Sequence, residues 1–163
     1  MIVEPLLLQL AADVLHRCRE RGFRLATAES CTGGLIAGCL TAVAGSSLVF
    51  DRGYVTYSNT AKTAELGVPA DLLAAKGAVS EAVARAMAEG ALAAAGVDVT
   101  VAVTGIAGPD GGSPGRPVGL VHFAAARTGS ETLHERHVFA GDRQQVRAAT
   151  VETALHLLLR RLA

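Results

Sequence analysis

Helical segments are marked by apolar spacing and by capping residues at three places in the chain. Residues 5–19 carry apolar side chains at the spacing of one helix face, which predicts an amphipathic helix. Ser80 precedes an Ala-rich stretch over 81–95, and Asp142 precedes the final segment 143–159. Serine and aspartate are favoured at helix N-caps, so both positions predict where a helix begins.

Shorter patterned segments fill the space between these helices. The run 99–103 contains only Val, Thr and Ala, which indicates a strand buried on both faces. The other predicted strands are 22–27, 47–56, 118–126 and 132–139, and the short predicted helices are 35–43, 59–66 and 72–76. Helices and strands alternate early and a hairpin comes late. The pattern therefore predicts an α/β fold, a three-layer α/β/α arrangement with a mixed sheet, as one compact domain over 1–163.

Composition narrows the class of protein. The 15 basic and 15 acidic side chains balance, and with only six aromatics and no Trp the chain lacks the basic stripe of a nucleic-acid-binding protein. Apolar stretches are interrupted well before about 18 residues, and the N-terminus has no signal-peptide pattern, so we expect a cytoplasmic protein without a membrane segment. Three cysteines without a CxxC pair argue against a disulfide framework or a zinc site. We also expect a homo-oligomer.

The segment 27–34, Thr-Ala-Glu-Ser-Cys-Thr-Gly-Gly, most resembles a site. It follows a predicted strand and precedes an apolar helix, and unpaired N–H groups at a helix start can hold a phosphate or an oxyanion. Two readings stay open from spacing alone: Ser30 is a nucleophile, or it merely caps the helix. Cys31 is a rival nucleophile, because helix starts also lower thiol pKa values.

A second candidate segment, 104–117, follows the buried strand and contains five glycines and three prolines. Ligands of open α/β sheets bind beyond the carboxyl ends of strands, so this loop and the turn at Ser30 predict one crevice for a small anionic molecule. The alternative is a mobile surface loop. Neither segment fits the Walker A or dinucleotide pattern, so we expect no ATP or NAD cofactor.

A lysine is the candidate base for Ser30, because no histidine adjoins a matching carboxylate motif. Thirteen of the 15 basic residues are Arg, and Lys62 is one of two exceptions. If Asn59 is the N-cap, Lys62 falls in the first helical turn, where the helix dipole lowers its pKa. A solvent-facing Lys62 is the alternative. Tyr57 is a candidate to relay the proton or to orient the amine.

Together these segments closely resemble the C-terminal domain family of the competence/damage-inducible protein CinA. The matching motifs cover nearly the whole chain in the order of the family: AESCTGG at 28–34, GYVTYSN at 53–59 with Lys62, GAVSE at 77–81, TGIAGPDGG at 104–112, PVG at 117–119 and GDR at 141–143. The resemblance implies an amidohydrolase that converts nicotinamide mononucleotide (NMN) and water to nicotinic acid mononucleotide and ammonia, with no metal and no cofactor. It implies Ser30 as nucleophile, assisted by Lys62 and Tyr57.

The remaining site residues are expected to bind substrate. Amides near Cys31, Thr32, Gly33 and Gly34 are candidate oxyanion donors, and Thr104, Gly105, Gly108 and Arg143 are candidates to hold ribose and phosphate. Arg143 has the alternative of pairing with Asp142 or with another subunit. A non-catalytic nucleotide-binding module or assembly partner is the rival function. Larger CinA proteins carry an additional N-terminal domain, for which this chain has no room, and its functions are not expected here.

Overall fold

The computed structural model describes residues 3–163. Within them, the helices are α1 (Pro5–Glu20), α2 (Leu35–Thr41), α3 (Asn59–Leu66), α4 (Ala70–Lys76), α5 (Glu81–Ala95) and α6 (Arg143–Arg161). The strands are β1 (Leu25–Glu29), β2 (Phe50–Val55), β3 (Val99–Gly105), β4 (Leu120–Arg127) and β5 (Leu133–Val138). Within the described residues, no helix is both long and apolar enough to cross a bilayer.

The five strands form one mixed sheet in the order β2-β1-β3-β4-β5. Strand β1 pairs in parallel with β2 and β3, while β3, β4 and β5 pair antiparallel. The parallel strands β1 and β3 therefore end side by side, with Glu29 opposite Val103. The chain segments that follow these two strands start at the same edge of the sheet.

Helices cover both faces of the sheet. One face packs Leu25, Val101 and Phe123 against α1, α2 and α6, and the other packs strand alanines such as Ala102 and Ala124 against α3, α4 and α5. Strand residues alternate between the two faces of the sheet, so these alanines lie together on the second face. Because their side chains are small, α5 approaches the sheet closely. The predicted three-layer α/β/α fold is confirmed.

Some predicted boundaries are wrong by a few residues, each for a local reason. Strand β1 begins at Leu25 because the chain first turns back at the end of α1, where Phe23 N donates to Cys18 O at 2.9 Å. A short 3₁₀ turn, Ser46–Leu48, delays β2. Strand β4 begins after Gly119, whose φ of +93° belongs to a turn. Interior patterns identified the elements, and turn geometry fixed their ends.

Candidate active site

The turn after β1 carries the candidate nucleophile. Ser30 N donates to Val103 O at 3.1 Å, which continues the pairing with β3, and Gly33 N then donates to Ser30 O at 3.0 Å. Gly33 and Gly34 have positive φ values of 58° and 101°, which glycine adopts without strain. Helix α2 starts only at Leu35, with Gly34 as its N-cap. The reading of Ser30 as a helix cap is therefore wrong.

Glu29 occupies the start of α2. The buried carboxylate accepts hydrogen bonds from Thr32 Oγ1 at 2.6 Å, Ile36 N at 2.9 Å and Ala37 N at 3.0 Å. These amides belong to the first turn of the helix and cannot also hold a ligand, so the expected anion site at the helix start is closed. Sequence reasoning missed this role, although an acidic residue between an apolar strand and a helix was the available signal.

Arg147 of α6 contacts the same turn from the other side, and sequence reasoning missed it too. Its Nε donates to Cys31 O and its Nη2 donates to Thr32 O, both at 3.1 Å. More than 110 residues separate the partners along the chain. No local pattern could have indicated this contact.

Lys62 lies against Ser30. Its Nζ is 3.0 Å from Ser30 Oγ, 2.9 Å from Thr56 O and 3.4 Å from Tyr57 O, and the side chain is 1 % exposed. The solvent-facing alternative for Lys62 is therefore wrong. So is the predicted cap of α3, because Ser58 accepts from Ala61 N and is the N-cap, which makes Asn59 the first helical residue.

The surroundings of Lys62 favour its neutral form. Burial lowers the pKa of the amine below its usual 10.5, with a smaller opposing influence from Cys31. No carboxylate in residues 3–163 forms an ion pair with it. A neutral amine can donate to the two carbonyls and accept the Ser30 proton, while an ammonium can donate to all three oxygens. The geometry therefore suits Lys62 both before and after it accepts the Ser30 proton.

Tyr57 touches Lys62 through its main chain, whereas its ring is 60 % exposed and directed to α6. The Tyr57 hydroxyl accepts from Arg143 Nη2 at 2.9 Å, and Arg143 Nη1 donates to Gly108 O at 2.9 Å. Arg143 therefore bridges the Tyr57 ring and the glycine-rich loop. It does not pair with Asp142, which instead caps α6 by accepting from Gln145 N.

The glycine-rich loop is fixed by packing where it leaves β3. Thr104 Oγ1 donates to Ala78 O at 2.8 Å, in the segment before α5. A Cβ on Gly105 would lie 2.7 Å from Val121 Cγ2, and one on Gly108 would lie 2.5 Å from Val118 Cγ1. Glycine is therefore required at both positions, because the loop packs closely against β4 and against the segment that precedes β4. Residues 104–108 of this loop line the same cavity as Ser30.

A cavity of about 290 Å³ joins these segments at the edge of the sheet. Of the predicted site residues, the cavity is lined by Ser30, Cys31, Tyr57, Lys62, Thr104, Gly105, Gly108 and Arg143. Further lining residues come from the predicted loop 104–117, namely Ile106, Ala107, Asp110 and Gly111, while Asn59, Ala78 and Val79 were not predicted. Thr32, Gly33 and Gly34 do not line the cavity. The Thr32 hydroxyl is committed to Glu29.

Comparison with known proteins gives a consistent result. The sequence profile of the CinA C-terminal domain matches residues 7–162. This chain belongs to that family. It is 60 % identical over 144 residues to a CinA-like protein of Citrifermentans bemidjiense and 59 % identical over 145 residues to one of Geobacter sulfurreducens, covering 88 % of this chain in each case. It spans only about a third of the length of these curated relatives, 34 % and 35 %.

Solved structures of the family share the whole fold. The competence/damage inducible protein CihA from Agrobacterium tumefaciens superposes with a TM-score of 0.95 at 46 % identity, covering 98 % of both chains. The competence damage-inducible protein A (ComA) from Klebsiella pneumoniae gives 0.92 at 46 % identity, covering 96 % of both. The arrangement of β1, β3 and α6 around the cavity is therefore that of a CinA C-terminal domain.

Cys31, the rival nucleophile in this CinA C-terminal domain, is poorly suited to the role. The residue is 5 % exposed, and burial raises the pKa of its thiol to about 12, against smaller opposing contributions from its own amide, Arg147 and Lys62. The thiolate is the nucleophilic form of cysteine, so this thiol is unreactive near neutral pH. The geometry favours Ser30.

No histidine of the described residues lines this CinA cavity. His122 Nδ1 and His134 Nε2 are 2.9 Å apart on β4 and β5, and burial lowers the pKa of His122 to about 4. Neither ring contacts Ser30 or Lys62. Within residues 3–163, no group of three or more His, Cys, Asp or Glu side chains is placed to hold a metal ion.

Proposed function

We propose that this CinA-family chain hydrolyses the carboxamide of NMN to nicotinic acid mononucleotide and ammonia, using Ser30 as nucleophile and Lys62 as base. The contact between Ser30 Oγ and Lys62 Nζ at 3.0 Å, in the wall of the cavity, is the observation that carries the proposal. A buried lysine without a carboxylate partner is an activating base of the kind that serine amidases need.

Acylation follows from this contact. Neutral Lys62 takes the Ser30 proton as Oγ forms a bond to the carboxamide carbon. The carbon–nitrogen bond then breaks, and the Lys62 ammonium returns the proton to the leaving nitrogen, which departs as ammonia. The product is an ester between Ser30 and the nicotinoyl group. Water, deprotonated by Lys62, then attacks the ester carbon. The bond between that carbon and Ser30 Oγ breaks, the Lys62 ammonium returns its proton to Oγ, and the carboxylic acid is released.

The oxyanion of each tetrahedral intermediate needs hydrogen-bond donors beside Ser30. The amides of Cys31 and Thr32 have no main-chain acceptor among the hydrogen bonds of the described residues. They directly follow the nucleophile, the usual place for such donors, and each oxyanion donor commonly contributes about 3 kcal/mol. We assign the oxyanion site to the Cys31 amide, because Cys31 lines the cavity whereas Thr32 is fully buried outside it.

NMN as substrate rests on the family resemblance and is supported by the cavity. A volume near 290 Å³ is at the lower end of small-molecule sites, about 300 Å³, and favours a mononucleotide over a dinucleotide. Arg143 supplies a positive charge that no carboxylate among residues 3–163 neutralises, which suits a phosphate. With the carboxamide at Ser30, the Arg143 side is open to the ribose phosphate.

Tyr57 assists indirectly in this scheme. Its main-chain oxygen holds Lys62, and its hydroxyl fixes Arg143, so the residue links the base to the phosphate-binding side chain. The reaction needs no metal and no cofactor. It belongs to pyridine nucleotide recycling in the cytoplasm, carried out by a homo-oligomer.

Release of ammonia tests the proposal directly. Purified protein is incubated with NMN, and ammonia and nicotinic acid mononucleotide are quantified together, with and without excess EDTA. We expect equal amounts of both products at a rate that EDTA leaves unchanged. Binding of NMN with no turnover would support the rival, a non-catalytic nucleotide-binding module. Loss of activity on chelation, restored by a divalent ion, would contradict the metal-free reaction.

A further inference from the structure

Thr104 lies beside the proposed nucleophile, at the ends of two neighbouring parallel strands. Glu29 of β1 pairs with Val103 of β3, and Ser30 N continues this pairing by donating to Val103 O at 3.1 Å. Ser30 and Thr104 are therefore the next neighbours in register, about 4.8 Å apart, which is the spacing of adjacent strands. Successive side chains of a strand point to opposite faces, and Glu29 faces α2, where its carboxylate accepts from Ile36 N. Ser30 and Thr104 thus share the opposite face.

The contacts of the two side chains agree with this placement. Ser30 Oγ lies 3.0 Å from Lys62 Nζ of α3, and Thr104 Oγ1 lies 2.8 Å from the main-chain oxygen of Ala78, just before α5. Helices α3 and α5 cover the same face of the sheet. All four residues line the cavity of about 290 Å³. The side chain of Thr104 therefore belongs to the wall at which the carboxamide reacts.

The Thr104 hydroxyl has a single proton, which is already used. Its partner, Ala78 O, is a carbonyl oxygen that can only accept, so the hydroxyl donates in this contact. The hydroxyl oxygen retains lone pairs, and no donor within residues 3–163 is bound to them. Thr104 and Lys62 are each 1 % exposed, so both lie at the floor of the cavity. The hydroxyl is therefore an acceptor for a group that enters the cavity with a hydrogen to donate.

A primary carboxamide and the carboxylate formed from it differ in their donors. The NH₂ group has two donors, whereas the carboxylate has only acceptors. Both groups have an oxygen that the Cys31 amide can bind, so that contact does not distinguish them. An acceptor at the nitrogen position stabilises the amide and repels the second oxygen of the carboxylate. Phosphate oxygens are also acceptors, so the Thr104 hydroxyl suits the carboxamide better than the phosphate that it was expected to hold.

We infer that the Thr104 hydroxyl accepts a hydrogen bond from the carboxamide NH₂ of the bound substrate and thereby selects the amide over the acid. With the carbonyl oxygen at the Cys31 amide, this second contact fixes the plane of the carboxamide in front of Ser30. Thr104 takes no part in proton transfer, which stays with Lys62. The inference rests on the proposed hydrolysis of NMN and adds to it the residue that distinguishes substrate from product.

Binding of matched ligands tests the inference without turnover. In 3-acetylpyridine mononucleotide a methyl group replaces the NH₂ of NMN, so the shape and charge are kept and the donor is lost. Dissociation constants are measured by calorimetry in Ser30→Ala protein, which retains Thr104 and forms no acyl-enzyme. We expect NMN to bind about tenfold more tightly than this ketone, the effect of one hydrogen bond between neutral groups. Nicotinic acid mononucleotide should bind at least about tenfold more weakly than NMN.

Substitution of Thr104 in the same Ser30→Ala background should abolish this preference. Thr104→Val has nearly the same shape and no acceptor, so NMN and the ketone should bind within about twofold of each other. Thr104→Ser keeps the oxygen and should keep the tenfold ratio. Thr100→Val is the matched control, because Thr100 is a buried β3 residue whose hydroxyl donates to Ala88 O of α5 at 2.7 Å and which does not line the cavity. It should leave the ratio unchanged.

The possible outcomes separate this inference from the proposed function. Equal affinity for NMN and the ketone in Ser30→Ala protein would overturn the inference. So would an equal loss of affinity for both ligands in Thr104→Val, which would show that the hydroxyl only holds Ala78. If wild-type protein releases no ammonia from NMN and the ratio still depends on Thr104, the hydrolysis is wrong and carboxamide recognition stands. If Thr104→Val does not fold, Thr104→Ala decides by the same ratio.

Discussion

Two cavities flank helix α6, and only the smaller one places a hydroxyl nucleophile against a base. The larger one has a volume of about 450 Å³ between α1, α2 and α6, and its apolar wall includes Leu7, Leu35 and Val151. Its thiol, Cys39, donates to Leu7 O, and burial raises the thiol pKa to about 11. The smaller cavity places a hydroxyl against a buried amine. A candidate site is thus recognised by matched donors and acceptors, and volume alone does not reveal it.

The difference also has an energetic side. The larger cavity is lined mainly by apolar side chains, and burying such side chains costs little free energy of folding. In the smaller one, the fold buries the Lys62 amine without a counter-charge, which lowers the pKa of Lys62 and disfavours its ammonium form. Packing of α3 against α5 keeps the amine there. A titratable group whose pKa is shifted by burial in this way is typical of an active site.

Removal of the Ser30 hydroxyl should have the largest effect. Ser30→Ala is expected to lower kcat at least about 10⁴-fold, because no other side chain in the smaller cavity can form the acyl intermediate. Cys31→Ala should keep most of the activity, since its thiol stays protonated. Ammonia release by both variants, with circular dichroism as the folding control, measures this. An active Ser30→Ala beside an inactive, folded Cys31→Ala would transfer the role to Cys31.

Replacement of the base should have the next largest effect. Lys62→Arg keeps a positive charge but cannot lose a proton, so we expect it to lower kcat/KM about 10²- to 10⁴-fold, nearly as much as Lys62→Met. Thermal unfolding of both variants controls for the buried site. Near-normal activity in folded Lys62→Arg would show that Lys62 acts only by its charge.

The pH profile of the wild-type enzyme tests the same amine without substitution. Burial lowers the pKa of Lys62, so the neutral, competent form increases as pH rises through that lowered pKa. The value of kcat/KM should therefore rise with pH and level off below the ordinary lysine value of 10.5. This limb should be absent in Lys62→Arg. A limb centred at or above 10.5 would contradict a buried, neutral base.

Much of the fold could be predicted because its signals are local. The caps Ser80 and Asp142 mark the starts of α5 and α6 in both sequence and structure. The run 99–103 is fully buried, as its composition predicts. Periodicity and capping depend on neighbours in the chain, so one sequence contains them.

The site was less accessible to sequence reasoning because its decisive contacts are between distant residues. Glu29 occupies the helix start that was predicted to hold an anion, and Arg147 reaches the turn from α6. Tyr57 was a candidate to relay the proton or to orient the amine, and its hydroxyl contacts Arg143, 86 positions away, while its main-chain oxygen contacts Lys62. Spacing suggested which residues carry chemistry, and only the packing of β1, α3 and α6 decides which atoms meet.

Placing the same large side chain in each cavity tests which of the two cavities binds the substrate. Val79→Trp fills the smaller cavity and Leu7→Trp fills the larger one. We expect Val79→Trp to raise KM about tenfold, equivalent to about 1.4 kcal/mol of lost binding, and Leu7→Trp to change KM by less than about twofold.

Fluorescence gives the same pair a second, independent measurement. The natural chain contains no tryptophan, so each variant carries a single indole that reports its own cavity. NMN should quench Val79→Trp, because an electron-poor pyridinium bound there stacks near the indole, and leave Leu7→Trp unchanged. Quenching of Leu7→Trp, accompanied by an increase in its KM, would contradict the assignment. It would mean that the larger, apolar cavity binds the nucleotide and that Arg143, which lines both cavities, directs its phosphate there.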